Sequence, residues 1–270
     1  MKLWVKKNKI ILGYIIVWTI FCLFELNRFY HMYFSEIQVD VWTMFDYVYT
    51  NSNIYLLQVV GSIIVMAPVT YELFQKHYTG MLQYSLMRQS YRQFMWRNFF
   101  GISKYFFMIP IGILILFLLC CVICDFNFVV PSVTQSGIMT DVGSTIAMYK
   151  DRLPIYAILV LLVPMLCSVF WGLLAMICAK KFRNYFTSLG VAYVVDYTFI
   201  MVLTVVYEKI GIDYLSIYYL FQDPIVWISS PSVGSPYSYL LFFSILIITT
   251  SMICWWMYRD KESTVIASEK

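Results

Sequence analysis

The residue types that carry catalysis or metal binding are scarce in this sequence. There are two histidines, His31 and His77, and a CxxC pair, Cys121 and Cys124, which no further Cys or His pair accompanies. HExxH, GxSxG and GxxxxGK[ST] patterns are absent, and no glycine is followed by lysine. We therefore expect no catalytic residue, no metal site and no cofactor in this chain. The seven cysteines are expected to serve packing.

The cationic residues that could recognise a partner lie in segment 71–104. Within 87–98, apolar side chains recur at helical spacing, while Arg88 and Arg92 share a different face of the helix. Such a helix would lie along a membrane surface with its rings and methionines toward lipid. The two arginines then either anchor lipid headgroups or dock a cytoplasmic partner. The segment is far longer than a connection between two spans requires, and this favours docking.

One carboxylate lies deep in an apolar run. Asp196 follows Asn184 by twelve residues, which at about 1.5 Å per helical residue places it near the bilayer centre. A charged aspartate there costs about 2.5 to 3.5 kcal/mol, so we expect it to face protein or water, or to be protonated. Its helical face includes Ala192, Tyr193 and Thr204. It belongs either to a transport path or subunit interface, or to a packing contact with a Tyr, Ser or Thr of the next helix.

The composition is that of an integral membrane protein. Hydrophobic residues make up 61% and charged residues 13%, against about half and about a quarter in soluble proteins. Six apolar runs are long enough to cross a hydrocarbon core of about 30 Å. No polar stretch is long enough to enclose a core of its own, so the sequence predicts one all-α transmembrane domain over 1–270. The predicted spans are 10–30, 54–73, 105–124, 154–179, 185–207 and 237–258.

The distribution of lysine and arginine predicts the orientation of these spans. With the N-terminus in the cytoplasm, the outer segments hold four of the nineteen cationic residues: Arg28, Lys150, Arg152 and Lys209. The positive-inside rule therefore predicts six spans with both termini cytoplasmic. The outer segment before the sixth span, 208–236, carries apolar rings and few basic residues. This pattern favours short helices dipping into the outer leaflet over a solvated loop.

The order of features around the basic segment resembles the membrane permease of type-2 ABC exporters. In that family a glutamate at the end of the second span precedes a Thr-Gly or Gly-Thr step, a Leu-rich coupling helix, a basic position and the third span. Six spans, inner termini and an apolar outer segment also fit, so the resemblance covers nearly the whole chain. The matching residues here are Glu72, Thr79, Gly80, Leu82, Leu86, Arg92 and Arg97, before 99–101.

The resemblance implies a permease subunit of a bacterial cell membrane, paired with a second copy or a homologous permease. Each permease would rest its coupling helix in a cleft of a separate ABC ATPase, with Arg88 on the docking face. ATP and Mg would be bound by that ATPase, and this chain would itself not be an enzyme. The expected function is export of an amphipathic antimicrobial peptide, drug or lipid-like molecule, with no nucleic-acid partner.

A second class of function stays open. The chain could be a non-transporting membrane module, such as an immunity protein, a sensor or an assembly scaffold, which needs no partner ATPase. A self-contained channel or secondary carrier is disfavoured, because such a protein would carry more polar residues inside its spans than Asp196 alone.

Overall fold

The computed structural model describes residues 8–31, 40–42, 44–45, 48, 55–78, 91–128, 153–182, 184–210 and 236–258. No strand occurs in these residues, so the predicted all-α fold class is confirmed for them. Seven α-helices and one 3-10 turn have defined bounds. They are α1 (Lys9–Phe29), α2 (Tyr55–Tyr78), α3 (Tyr91–Ser103), the 3-10 turn Lys104–Phe107, α4 (Met108–Ile123), α5 (Leu153–Lys181), α6 (Tyr185–Ile210) and α7 (Pro236–Tyr258).

A helix coincides with each of the six predicted spans. The agreement follows from the long, unbroken apolar runs, whose backbone groups only a helix can satisfy within one segment. Within the described residues, three stretches are long and apolar enough to cross a membrane: Lys9–Arg28, Phe99–Ile123 and Pro164–Lys181. The fold is therefore compatible with a membrane protein, and the number of crossings stays a prediction.

The basic segment joins the following helix differently from the prediction. The sequence indicates a surface helix over 87–98 and a separate span from residue 105, whereas α3 continues to Ser103 and passes through the 3-10 turn directly into α4. Pro110 gives a physical reason for the turn. It has no amide hydrogen to donate to the Phe106 carbonyl, so the α-helical ladder is interrupted there. Residues 87–90 lie outside the described part of the chain.

Helix α5 forms the centre of the bundle. It packs against α2, α4, α6 and α7, while α1 packs against α4. From Cys167 to Ala179 every side chain of α5 is buried except Val169 and Ile177, which are half-buried. All seven cysteines are free thiols, and only Cys124 among them is not fully buried.

Exposed apolar side chains cover the outside of this core. Val17 and Phe24 of α1 are 69% and 67% exposed, Leu118 of α4 is 60% exposed, and Trp256 of α7 is 70% exposed. Soluble monomers rarely expose apolar patches of such extent, so hydrocarbon is the solvent that this surface fits.

Candidate functional site

An ion pair ties α2 to the start of the next long helix. Lys104 Nζ lies 3.3 Å from Glu72 Oε2, and both side chains are largely shielded from solvent. The same ammonium lies 4.7 Å from the ring centroid of Tyr105, and the Tyr105 hydroxyl is in hydrogen-bonding range of Glu72. Charge-assisted contacts of this kind are the stronger ones in proteins. We call Glu72, Lys104 and Tyr105 the clamp.

The structure places part of the predicted coupling set. Glu72 belongs to the clamp, Arg92 lies in the first turn of α3, and Arg97 is exposed on the same helix. An exposed arginine fits both a docking surface and a lipid anchor. Four members of the set, Gly80, Leu82, Leu86 and Arg88, lie outside the described residues, so their role stays a prediction.

Lys104 is a partner that the sequence did not single out. The sequence interpretation included it only as the last residue of segment 71–104, and it placed Glu72 in the ATPase-coupling set through the resemblance. Their pairing depends on how α2 packs against the 3-10 turn. The residue pattern within α2 or within the 3-10 turn does not indicate that the two pack together.

Asp196 is buried where α2, α5 and α6 meet. Trp171 Nε1 of α5 donates a hydrogen bond of 3.1 Å to Asp196 Oδ1, and Ser62 of α2 also hydrogen-bonds the carboxyl group. The three residues are 3%, 5% and 2% exposed in the order Asp196, Trp171, Ser62. No described Lys or Arg forms an ion pair with Asp196. We call Ser62, Trp171 and Asp196 the clasp.

The clasp differs from the polar face that the sequence suggested. Ala192 is buried beside Asp196 on α6 and Tyr193 is half-buried, but the hydrogen-bond partners of Asp196 come from other helices. The packing interpretation expected a Tyr, Ser or Thr of the next helix, whereas Ser62 lies on α2 and Trp171 was not among the expected partners. Thr204 lies in α6, and its side chain is outside the described residues. Buried polar groups in proteins are almost always hydrogen-bonded. The two neutral donors from neighbouring helices satisfy this requirement for the Asp196 carboxyl group.

A second tryptophan joins α1 to α4. Trp18 Nε1 donates a hydrogen bond of 2.7 Å to the Gly112 carbonyl oxygen, and the Trp18 ring stacks on Tyr14 and Phe21. A Cβ at position 112 would lie 2.8 Å from Trp18 Nε1 and would also collide with the Tyr14 hydroxyl. Glycine is therefore required for this close approach of the two helices.

Two further carboxylates are buried near the predicted outer side. Glu25 is 2% exposed and lies 3.7 Å from Arg28. Asp40 is 1% exposed and accepts a 2.9 Å hydrogen bond from the Trp42 amide. Among the described residues, no group of three or more His, Cys, Asp or Glu side chains is arranged to hold a metal ion.

Comparisons of the chain with protein-family models, with curated proteins and with solved structures found no match. Function must therefore be inferred from the residues of this chain. Among the described residues, the clamp joins α2 to the 3-10 turn, and the clasp joins α2, α5 and α6.

Proposed function

We propose that this chain is the membrane subunit of an ABC exporter, in which the segment between the second and third spans docks a separate ATPase. The observation that supports this most directly is the clamp. It joins the end of α2 to the turn that begins the next long helix, at 3.3 Å between Glu72 and Lys104. The clamp holds together Glu72 and Lys104, which flank the proposed docking segment on its two sides. A force on the docking segment would therefore pass to both flanking spans.

The charges on and around α3 also support a docked protein. Arg97 is exposed on α3, and Arg88 and Arg92 precede it along the chain. Clustered arginines are typical of surfaces that bind carboxylates of a partner, because the planar guanidinium group bonds them bidentately. The missing phosphate loop fits a division of labour in which the ATPase binds ATP and Mg.

In this proposal the six long helical segments are the six spans, and both termini are cytoplasmic. Two permease copies, identical or homologous, form the pathway beside an ATPase pair in the cell membrane. The cargo is amphipathic, which fits the abundance of Tyr, Phe and Met in the sequence. The residues expected to couple the ATPase to the spans are Glu72, Gly80, Leu82, Leu86, Arg88, Arg92 and Arg97.

The first prediction concerns the docking surface. The tagged protein, solubilised from its native membranes, is expected to co-purify with an ATPase subunit. The double variant Arg88→Glu with Arg92→Glu should insert normally and lose about tenfold or more of the bound ATPase, since reversing buried interface charges costs 2 kcal/mol or more. Immunoblotting against membrane abundance measures both quantities.

The matched control is Lys150→Glu with Arg152→Glu, a double charge reversal on the predicted outer side, which should keep the ATPase bound. If the wild-type protein brings down no ATPase, the exporter proposal fails and a non-transporting module becomes the better interpretation. If the Arg88 and Arg92 double variant still binds the ATPase as the control does, the docking surface has been assigned wrongly.

A further inference from the structure

The residue after the clamp's tyrosine, Phe106, packs closely against α5. Phe106 is 4% exposed, and its ring lies directly over Gly172. A Cβ at position 172 would lie 2.7 Å from Phe106 Cδ1 and would overlap Cε1. Only glycine admits the ring, so the 3-10 turn and α5 meet without any space for sliding.

Phe106 also contacts α3. The ring centroids of Phe99 and Phe106 are 6.4 Å apart in an edge-to-face arrangement. A displacement of α3 therefore reaches Phe106 both through its ring and along the chain through the 3-10 turn. Phe107, the next residue, is 43% exposed and does not belong to this contact.

On α5 the residue before Gly172 belongs to the clasp. Trp171 donates its indole hydrogen to Asp196 of α6, and its ring lies 3.6 Å from the position that a Cβ on Gly61 of α2 would occupy. A rotation of α5 at Gly172 therefore changes the position of Trp171 relative to both neighbouring helices. The clasp is thus one residue removed from the Phe106 contact.

We propose that Phe106 is a positioning residue that transmits movement of α3 to the clasp through Gly172. The inference rests on the proposed function in one respect, since docking of the ATPase is the source of the movement. Tight packing transmits displacement because interior side chains have no free volume in which to absorb it. In this arrangement the clasp responds to the cytoplasmic segment, and breaking the clamp releases the 3-10 turn and so disturbs the clasp by the same route.

A mutant cycle on the purified chain in lipid nanodiscs tests the inference without any ATPase. Hydrogen exchange is followed in peptides from α5 around Trp171 and from α6 around Asp196, for the wild type, Lys104→Met, Phe106→Ala and the double variant. Lys104→Met should raise exchange in both helices by roughly twofold or more, since local opening responds to the loss of a fixed contact. In the Phe106→Ala background, Lys104→Met should cause no further increase in hydrogen exchange.

The control is Phe107→Ala, which removes the same ring from the next position and should leave the response to Lys104→Met intact. The inference is overturned if Lys104→Met leaves hydrogen exchange in α5 and α6 unchanged. It is also overturned if the increase in exchange caused by Lys104→Met adds fully to the increase caused by Phe106→Ala. If the Phe106→Ala protein is not monodisperse, Phe106→Leu is used in its place. The leucine variant keeps an apolar side chain and removes the ring over Gly172. Co-purification of the ATPase decides the proposed function separately, so failure of one is distinguishable from failure of the other.

Discussion

At the scale of single residues, the environment of Asp196 favours a structural role over a place on a transport path. Its carboxyl group receives hydrogen bonds from an indole of α5 and a hydroxyl of α2, and it is 3% exposed. A buried polar group without its partner costs more than the hydrogen bond itself contributes. The donors from α2 and α5 therefore hold α6 in a defined register.

Trp171→Phe tests this role, because it removes the indole donor and keeps a large ring. We expect a loss of about 1–3 kcal/mol of stability, seen as a fall in Tm of roughly 2–10 °C in detergent by fluorescence-detected size exclusion. Asp196→Asn keeps an acceptor oxygen for Trp171 and should cost less. Trp256→Phe is the matched control, since Trp256 is 70% exposed on α7. Equal Tm values for the Trp171 and Trp256 variants would contradict a stabilising clasp.

At the scale of helices, the length of the hydrophobic runs predicted where each helix lies in the sequence. It did not predict which faces of the helices contact each other. Leu153–Lys181 and Tyr185–Ile210 lie within a few residues of the predicted 154–179 and 185–207. The continuation of α3 through the 3-10 turn was missed because the basic segment was taken to end at Lys104, although no proline separates residues 98 and 105. Lys104 and Trp171 were missed as partners because their contacts depend on which faces meet. Asp196 was found because a charge deep within an apolar run is conspicuous, whereas Glu72 was singled out only by the resemblance to the permease family.

The docking of α1 on α4 depends on a glycine that neither helix needs for its own formation. Gly112→Ala places a Cβ 2.8 Å from Trp18 Nε1, so the Trp18 hydrogen bond must be displaced. Overpacking of this kind costs about 1–3 kcal/mol, and the Tm should fall by several degrees. Gly13→Ala is the control, because a Cβ there meets no atom within 4 Å. A Gly112 variant as stable as the Gly13 variant would show that the two helices have room to move apart.

At the scale of the whole molecule, composition predicted an all-α membrane protein, with which the apolar helices are compatible, while the orientation indicated by the basic residues stays a prediction. The centre of the bundle, α5, is also the helix with the longest buried stretch, from Cys167 to Ala179. Its uniform hydrophobicity hid that position in the sequence, since a helix that is apolar all round carries no face that identifies its neighbours. The clamp, the Phe106 contact and the clasp all converge on this helix or on helices packed against it.

Orientation is the property on which the docking proposal depends, because the clamp and α3 must lie on the cytoplasmic side. Paired reporter fusions test the orientation. Alkaline phosphatase is active only on the outer side of the cell membrane, and green fluorescent protein fluoresces only on the cytoplasmic side. We expect fluorescence after Ser90, Arg183 and Lys270, and phosphatase activity after Ser52, Ser144 and Ser230. Phosphatase activity at Ser90 would place the arginines outside, where no ATP-driven subunit could reach them.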